Sequence, residues 1–241
     1  MRRPAGLCSV GRGASAPPAP GPADGGFRPG GQRLVMFTRW PAPARCKRRL
    51  AVALGPERAA AVQARLLHHG LAAAREAARH GRRQGHAIEV VLAVSGLGPR
   101  ASGRWAATLP VDRCVSQGEG SLGVRLRRQV VRARREAVGQ LVLIGSDLPH
   151  LDGADLLAAF AALRHHPLVV GPALDGGDWL IGLSPRLAAP RLFAGARGPI
   201  PWGTGEVLGQ TLAAAAAEGL TPVVLAERGD LDRVDDLAAW R

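Results

Sequence analysis

Leu141-Val142-Leu143-Ile144 is an unbroken aliphatic run that ends at Gly145 and passes directly into Ser146-Asp147-Leu148-Pro149. It is too short for a helix and is bounded by Gly and Pro, so it predicts a buried strand. The pattern returns downstream, where Leu168-Val169-Val170-Gly171 leads through Pro172-Ala173-Leu174 into Asp175-Gly176-Gly177. An aspartate just beyond the carboxyl end of such a strand stands where open α/β sheets bind ligands. Two of them, Asp147 and Asp175, form a candidate pair for a divalent cation held against a phosphate. The alternative for each is a helix cap or an ordinary turn residue; two such turns after two buried strands in the acidic half favour the metal reading.

Strand-like and helix-like segments alternate through most of the chain. Strands are predicted over 33–38, 88–94, 141–145, 168–171, 179–183 and 222–226. Helices are predicted over 56–80, 122–138, 154–165 and 204–218, with a short one ending at Trp240. Pro56 suits a first helical turn, and Asp152 is a candidate N-cap. This alternation predicts an α/β chain with helices on both faces of a mostly parallel sheet, a three-layer Rossmann-like architecture. With 241 residues in all, one domain over 32–241 is expected. Residues 1–31, rich in Pro, Gly, Ala and Arg without periodicity, are expected to be a disordered tail. No run is long enough to span a membrane, and no secretory or transit pattern opens the chain. Cys8, Cys46 and Cys114 have neither zinc-site nor disulfide-framework spacing, which predicts a reduced, cytoplasmic setting.

The formal net charge of +13 is unevenly distributed. Residues 1–138 hold 25 basic and 7 acidic residues, whereas 139–241 hold 7 basic and 12 acidic. Such a division suits a site with phosphate gripped on one side and a metal on the other; an Arg-rich bias over a solvated surface gives it too. Lys47 is the only lysine among 32 basic residues. Lysine is a compact point charge and arginine a planar fork, so a lone Lys is either a place Arg cannot fill or a chance survivor.

The loop after the first strand carries Arg45, Lys47, Arg48 and Arg49 within five residues, well placed to grip a diphosphate or simply a solvated basic turn. It lacks the Gly-Lys-Ser/Thr of a Walker loop. Gly118-Glu119-Gly120-Ser121-Leu122-Gly123 has the letters of a dinucleotide fingerprint, but no long strand precedes it. The better reading is a loop that lets a ligand approach, with Gln117 as an amide hydrogen-bonder and Arg125 pointing back. The histidines, His68-His69 and His165-His166 among them, fall at helix positions expected to be on the surface, and His150 is a bystander to the Asp147 turn.

Taken in order, these segments resemble a bacterial family of GT-A-type glycosyltransferase-like proteins, a domain of unknown function that includes members assigned to arsenosugar biosynthesis. Its Pro-x-Pro-Gly-x-x-Lys-Thr-Arg-Leu segment corresponds to Pro41–Leu50. Its Gln-x-x-x-x-Leu-Gly-x-Arg-Leu segment corresponds to Gln117 with Leu122, Gly123, Arg125 and Leu126. Gly145–Pro149, Gly171–Leu183, Pro201-Trp202-Gly203-Thr204 and Asp230–Asp232 complete the match. The chain departs from the family at Ala44 for glycine, Arg48 for threonine and Asp178 for an aromatic residue.

The resemblance implies a nucleotide-diphospho-sugar fold in which Arg45, Lys47, Arg49, Gln117, Gly123 and Arg125 hold the nucleotide and its phosphates. It implies Mg²⁺ or Mn²⁺ on Asp147 and Asp175, and an acceptor region at Gly176, Gly177, Trp202 and Thr204. Asp175 and Asp178 are then the candidates for orienting or deprotonating an acceptor hydroxyl, and Asp232 is a further candidate. The partners implied are a nucleotide-sugar and a small-molecule acceptor.

A nucleotidyltransferase, taking an NTP and a phosphorylated acceptor, has a similar Lys-x-Arg-Leu loop and is the main alternative. A non-catalytic nucleic-acid-binding protein would use the Arg-rich 122–138 segment, but a chain with no tyrosine and few aromatics offers little for base stacking.

Overall fold

Seven strands form one sheet, with the first strand of the chain in its interior. The computed structural model describes residues 30–187, 189–196 and 198–240. The strands are β1 (Gln32–Arg39), β2 (Ile88–Ser95), β3 (Arg113–Ser116), β4 (Gln140–Gly145), β5 (Leu168–Pro172), β6 (Asp178–Leu183) and β7 (Val223–Val224), in the order β3-β2-β1-β4-β6-β5-β7. All pairings are parallel except those of β6, which runs antiparallel to both β4 and β5. The helices are α1 (Arg48–Leu54), α2 (Pro56–Arg83), α3 (Pro99–Ala106), α4 (Leu122–Arg135), α5 (Gly153–Ala162) and α6 (Val207–Ala217). Short 3-10 turns cover Pro190–Phe193 and Asp235–Trp240.

Side chains alternate across a strand, so successive residues of β1 enter two different cores. Leu34 and Met36 pack with Leu67, Leu71 and Phe160 of α2 and α5, while Val35 and Phe37 pack with Leu126, Leu192 and Phe193 on the other face. Burial on both faces is why the strands read as continuous apolar runs. Helix α2 starts at Pro56, and Asp152 caps α5 by accepting from Asp155 N–H in a reciprocal capping box. Among the described residues no helix is long and apolar enough to cross a membrane.

Several sequence-based boundaries change. The expected tail over 1–31 falls outside the described residues for 1–29, but Gly30 and Gly31 are ordered: Gly30 N–H donates to Ala137 O at 2.7 Å and Gly139 N–H to Gly31 O at 2.9 Å. Helix α2 continues past 80 to Arg83, α4 stops at Arg135, and the last strand shrinks from 222–226 to Val223–Val224. The sequence reading has no counterpart for α1, α3 or β3.

The strand order reverses direction at β1, whose two neighbours β2 and β4 lead to opposite edges of the sheet. The carboxyl ends of β1 and β4 therefore open onto the crevice where ligands bind in such sheets. The opposite end of β1 is closed by ions: Arg33, 2% exposed, meets Glu89 at 2.6 Å and Glu136 at 2.7 Å.

Candidate functional site

The loop leaving β1 turns twice through left-handed backbone. Ala44 has φ 61° and Lys47 has φ 46°, and neither is glycine. Ala44, where the resembling family has glycine, takes a backbone conformation that favours glycine. Holding an L-residue there costs roughly 1–2 kcal/mol, partly offset by the smaller entropy alanine loses on folding. Ala44→Gly is accordingly expected to stabilise the protein by about 0.5–1 kcal/mol in urea unfolding; a loss of stability would mean the turn is not strained.

Lys47 precedes α1, and its carbonyl accepts Ala51 N–H at 2.8 Å. Its side chain is buried, donates through Nζ to Leu231 O, and lies 3.0 Å from Asp147 Oδ1. That Oδ1 is buried and has no hydrogen bond of good geometry, although the Asp147 side chain as a whole is 46% exposed. The backbone joins the same partners, with Leu231 N–H donating to Asp147 O at 2.8 Å. Arg49 pairs with Asp232 at 2.6 Å. Leu231 is fully buried beside Leu50 and Leu66. The segment 230–232 is thus clamped over the β1 and β4 ends.

Behind the clamp a buried polar chain ties the strand ends together. Gln63 Nε2 donates to Ser146 Oγ at 2.9 Å, and Ser146 Oγ to Thr38 Oγ1 at 3.2 Å. Gln117 donates from its amide to Thr38 O and Ala93 O, each at 2.9 Å, and its Oε1 faces Arg125 Nη1 at 3.4 Å. The Gln117 amide thus hydrogen-bonds the ends of β1 and β2. Arg125 does point back, donating through Nε to Gly120 O, and Arg128 donates to Gln117 O and Glu119 O. Much of the arginine on this part of α4 is occupied in shaping the loop.

Two adjoining depressions follow the loop. One, of about 760 Å³, is walled by Arg39, Arg45, Arg48 and Arg125 with Trp40 beside them. Trp40 is held edge-on against Trp105, 4.7 Å between ring centres. The second, of about 430 Å³, adds Lys47, Arg49, Gln117, Asp147 and Asp232. Arg39, Trp40 and the Ser95–Gly98 turn were invisible as site residues in the sequence; their only signal is that β2 ends at the same crevice as β1.

A third cavity, of about 360 Å³, lies on the far side of Asp147 and gathers Asp147, Asp175, Asp178 and Asp230 with Gly177, Trp202 and Thr204. Asp175 is turn former and cavity wall at once, since its Oδ1 accepts Gly177 N–H at 2.9 Å. Asp178 accepts from Thr211 Oγ1 at 2.7 Å through Oδ2, while its Oδ1 is buried without a partner. Burial pushes its carboxyl up to about 6, with the charge of Asp175 adding to the rise and the Thr211 hydroxyl opposing it. Asp230 is also raised, first by burial and then by the nearby Asp175. Asp232, the further candidate of the sequence, lines the cationic cleft and pairs with Arg49, whereas Asp230, two residues earlier, lines this cavity.

Two expected ligand residues sit behind the walls. Gly123 packs so tightly that a Cβ there would lie 2.7 Å from Trp202 Nε1, which makes it the reason Trp202 can approach α4. Gly176, at φ 84°, turns the β5–β6 hairpin, and its carbonyl accepts Leu208 N–H at 2.9 Å. Among the described residues no three His, Cys, Asp or Glu side chains cluster closely enough to cage a metal ion.

Residues 77–204, more than half of the chain, match the family described as "Uncharacterized protein conserved in bacteria (DUF2064)". The chain belongs to this family. The DUF2064 protein is similar in structure to a candidate nucleotide-diphospho-sugar transferase from Desulfovibrio desulfuricans G20, with 25% identity, a TM-score of 0.71, and coverage of 86% of this chain and 84% of that one. It also shares its fold with the 4-diphosphocytidyl-2C-methyl-D-erythritol synthase of Anaerococcus prevotii DSM 20548, at 9% identity, TM-score 0.57, and 87% and 96% coverage. No curated protein matches the sequence. The α/β sheet of the DUF2064 protein thus has the nucleotide-diphospho-sugar transferase fold.

Proposed function

We propose that this DUF2064 protein is a metal-assisted, glycosyltransferase-like enzyme that moves a sugar from a nucleotide-diphosphate donor to a small acceptor. The observation that carries the reading is the place of Asp147. Among the described residues it is the one charged residue that lines both the cationic cleft and the acidic cavity. A donor lying with its diphosphate among the arginines would bring its sugar to that carboxylate, facing an acceptor in the cavity beyond.

The donor set fits Mg²⁺ or Mn²⁺. Asp147, Asp175 and Asp230 line one cavity, and Asp147 Oδ1, which is ion-paired with Lys47, accepts no hydrogen bond of good geometry. One or two such carboxylates, with phosphate and water completing the shell, is the usual way these hard cations are held. When bound, the ion supplies positive charge to the departing diphosphate.

The chain's own residues would do the rest. Arg45, Arg48, Arg49 and Arg125 line the cleft wall, where bidentate contact with phosphate oxygens is the strong mode for guanidinium groups. Lys47 fixes Asp147 and adds a compact charge behind them. In the transfer, an acceptor oxygen bonds to the sugar carbon as the bond from that carbon to the diphosphate oxygen breaks. The electron pair leaves with the nucleoside diphosphate, and the hydroxyl proton passes to Asp178 Oδ1. A carboxylate with a value near 6 is suited to accept a proton near neutrality.

Thermal unfolding with nucleoside diphosphates tests the reading. A saturating nucleotide is expected to raise Tm by about 5–10 °C with Mg²⁺ or Mn²⁺. The nucleotide-dependent increment should vanish in Asp147→Asn, whatever that change does to Tm alone. Equal stabilisation with and without metal would overturn the carboxylate–metal reading. Release of pyrophosphate from an NTP and a phosphorylated acceptor, in place of a nucleoside diphosphate from a nucleotide-sugar, would make the protein a nucleotidyltransferase.

A further inference from the structure

Among the described residues the lining of the acidic cavity includes no Arg, Lys or His; Lys47 reaches only its edge, as the partner of Asp147 at 3.0 Å, and the arginines lie in the cleft across Asp147. The cavity floor is apolar, formed by Phe37, Leu126, Leu143, Ile181 and Trp202 from one of the two large cores. Backbone donors do not compensate. The amino end of α6 borders the cavity at Val207, and an open helix terminus would be an anion site. Here its amides are already engaged: Glu206 N–H by Thr204 Oγ1 at 3.3 Å, Val207 N–H by Thr204 O at 3.4 Å, and Leu208 N–H by Gly176 O at 2.9 Å. Gly176 and Gly177 in the hairpin donate to Ala173 O and Asp175 Oδ1. Asp178 Oδ1, in contrast, is a buried acceptor with no hydrogen-bond partner.

We infer that the cavity takes a non-anionic, hydroxyl-bearing molecule with an apolar face, and rejects phosphate and carboxylate esters of the same size. The inference rests on reading the cavity as the acceptor site. A hydroxyl of such a molecule donates to Asp178 Oδ1 while its apolar face covers Trp202 and Phe37. A phosphate in the same place would meet Asp175 and Asp178 with no basic side chain in the lining to offset them. The four aspartates thus exclude phosphorylated acceptors as much as they recruit a metal.

The test is saturation-transfer NMR on the full chain with Mg²⁺ present, which gives a phosphate every chance to be bridged. The paired probes are phenyl β-D-glucopyranoside and its 6-phosphate. The neutral glucoside is expected to bind at least about tenfold more tightly. In Asp175→Asn/Asp178→Asn the gap should narrow to about threefold or less, through tighter binding of the phosphate. The inference is overturned by equal or stronger binding of the phosphate to the natural protein, by a gap the double variant leaves unchanged, or by no binding of the glucoside up to about 10 mM. If the preference holds but no nucleotide-sugar is turned over with any neutral acceptor, the transfer reading fails and the selectivity of the cavity stands.

Discussion

Asp178→Asn is expected to stabilise the protein by about 2 kcal/mol above pH 6 and, on the proposed mechanism, to cut turnover by about 10²-fold or more. Burial holds the folded carboxyl near 6 against an ordinary value of 3.8. Between those values the folded chain keeps a proton that the unfolded chain releases, so this group's contribution to stability falls as pH rises through that window and then levels off. The full shift corresponds to about 3 kcal/mol, reduced here because the amide brings a buried NH₂ of its own. Asparagine still offers an oxygen to the Thr211 hydroxyl. Urea unfolding at pH 4 and pH 8 reads the effect, with the gain confined to the higher pH. Stability at pH 8 equal to that of the natural protein would show that Asp178 is not held charged in an unfavourable place. Gaining stability while losing activity is the expected trade at a group kept for chemistry.

Lys47→Ala is expected to destabilise by about 2–3 kcal/mol, and Lys47→Arg not to restore the loss. Removing one partner of a buried ion pair leaves the other without its counter-charge, and Leu231 O loses its donor as well. The cost is discounted because the Asp147 side chain is 46% exposed and water can reach it. A guanidinium is planar and larger than the ammonium now enclosed between Asp147 and Leu231. Denaturant unfolding gives the magnitude, and amide exchange at Leu231, whose N–H bonds Asp147 O, gives the location. If Lys47→Arg unfolds and exchanges like the natural protein, the lone lysine is a chance survivor.

The sheet was largely legible because its strands are buried on both faces and appear as runs such as Leu141–Ile144 and Leu168–Val170. Strand direction was not. Trp179-Leu180-Ile181 carries the same apolar signal whether it runs with or against its neighbours, and only the short Asp175-Gly176-Gly177 connection hints at an antiparallel hairpin. Helix α3 escaped because Pro99–Ala106 is eight residues with a Gly and two Arg, too short to establish a period. At the site, Asp147 and the Lys47 loop were accessible because strand ends have a fixed meaning in α/β sheets. Asp230 was not distinguishable from Asp232, since the irregular segment around buried Leu231 has no period from which to assign faces. Gly123 is a second case: nothing in the sequence around this motif glycine shows that it packs against Trp202.

The clamp over the cleft also bears on the order in which the chain assembles. Lys47 and Leu231 are 184 residues apart, and Arg49 and Asp232 are 183. Contacts of such range come with a large loop-closure entropy and are favoured only once the intervening strands are in place. The sheet and the polar tie through Gln63, Ser146 and Thr38 do not need residues 230–232, whereas the completed site does. Closure of residues 230–232 over the crevice is therefore expected to follow formation of the sheet.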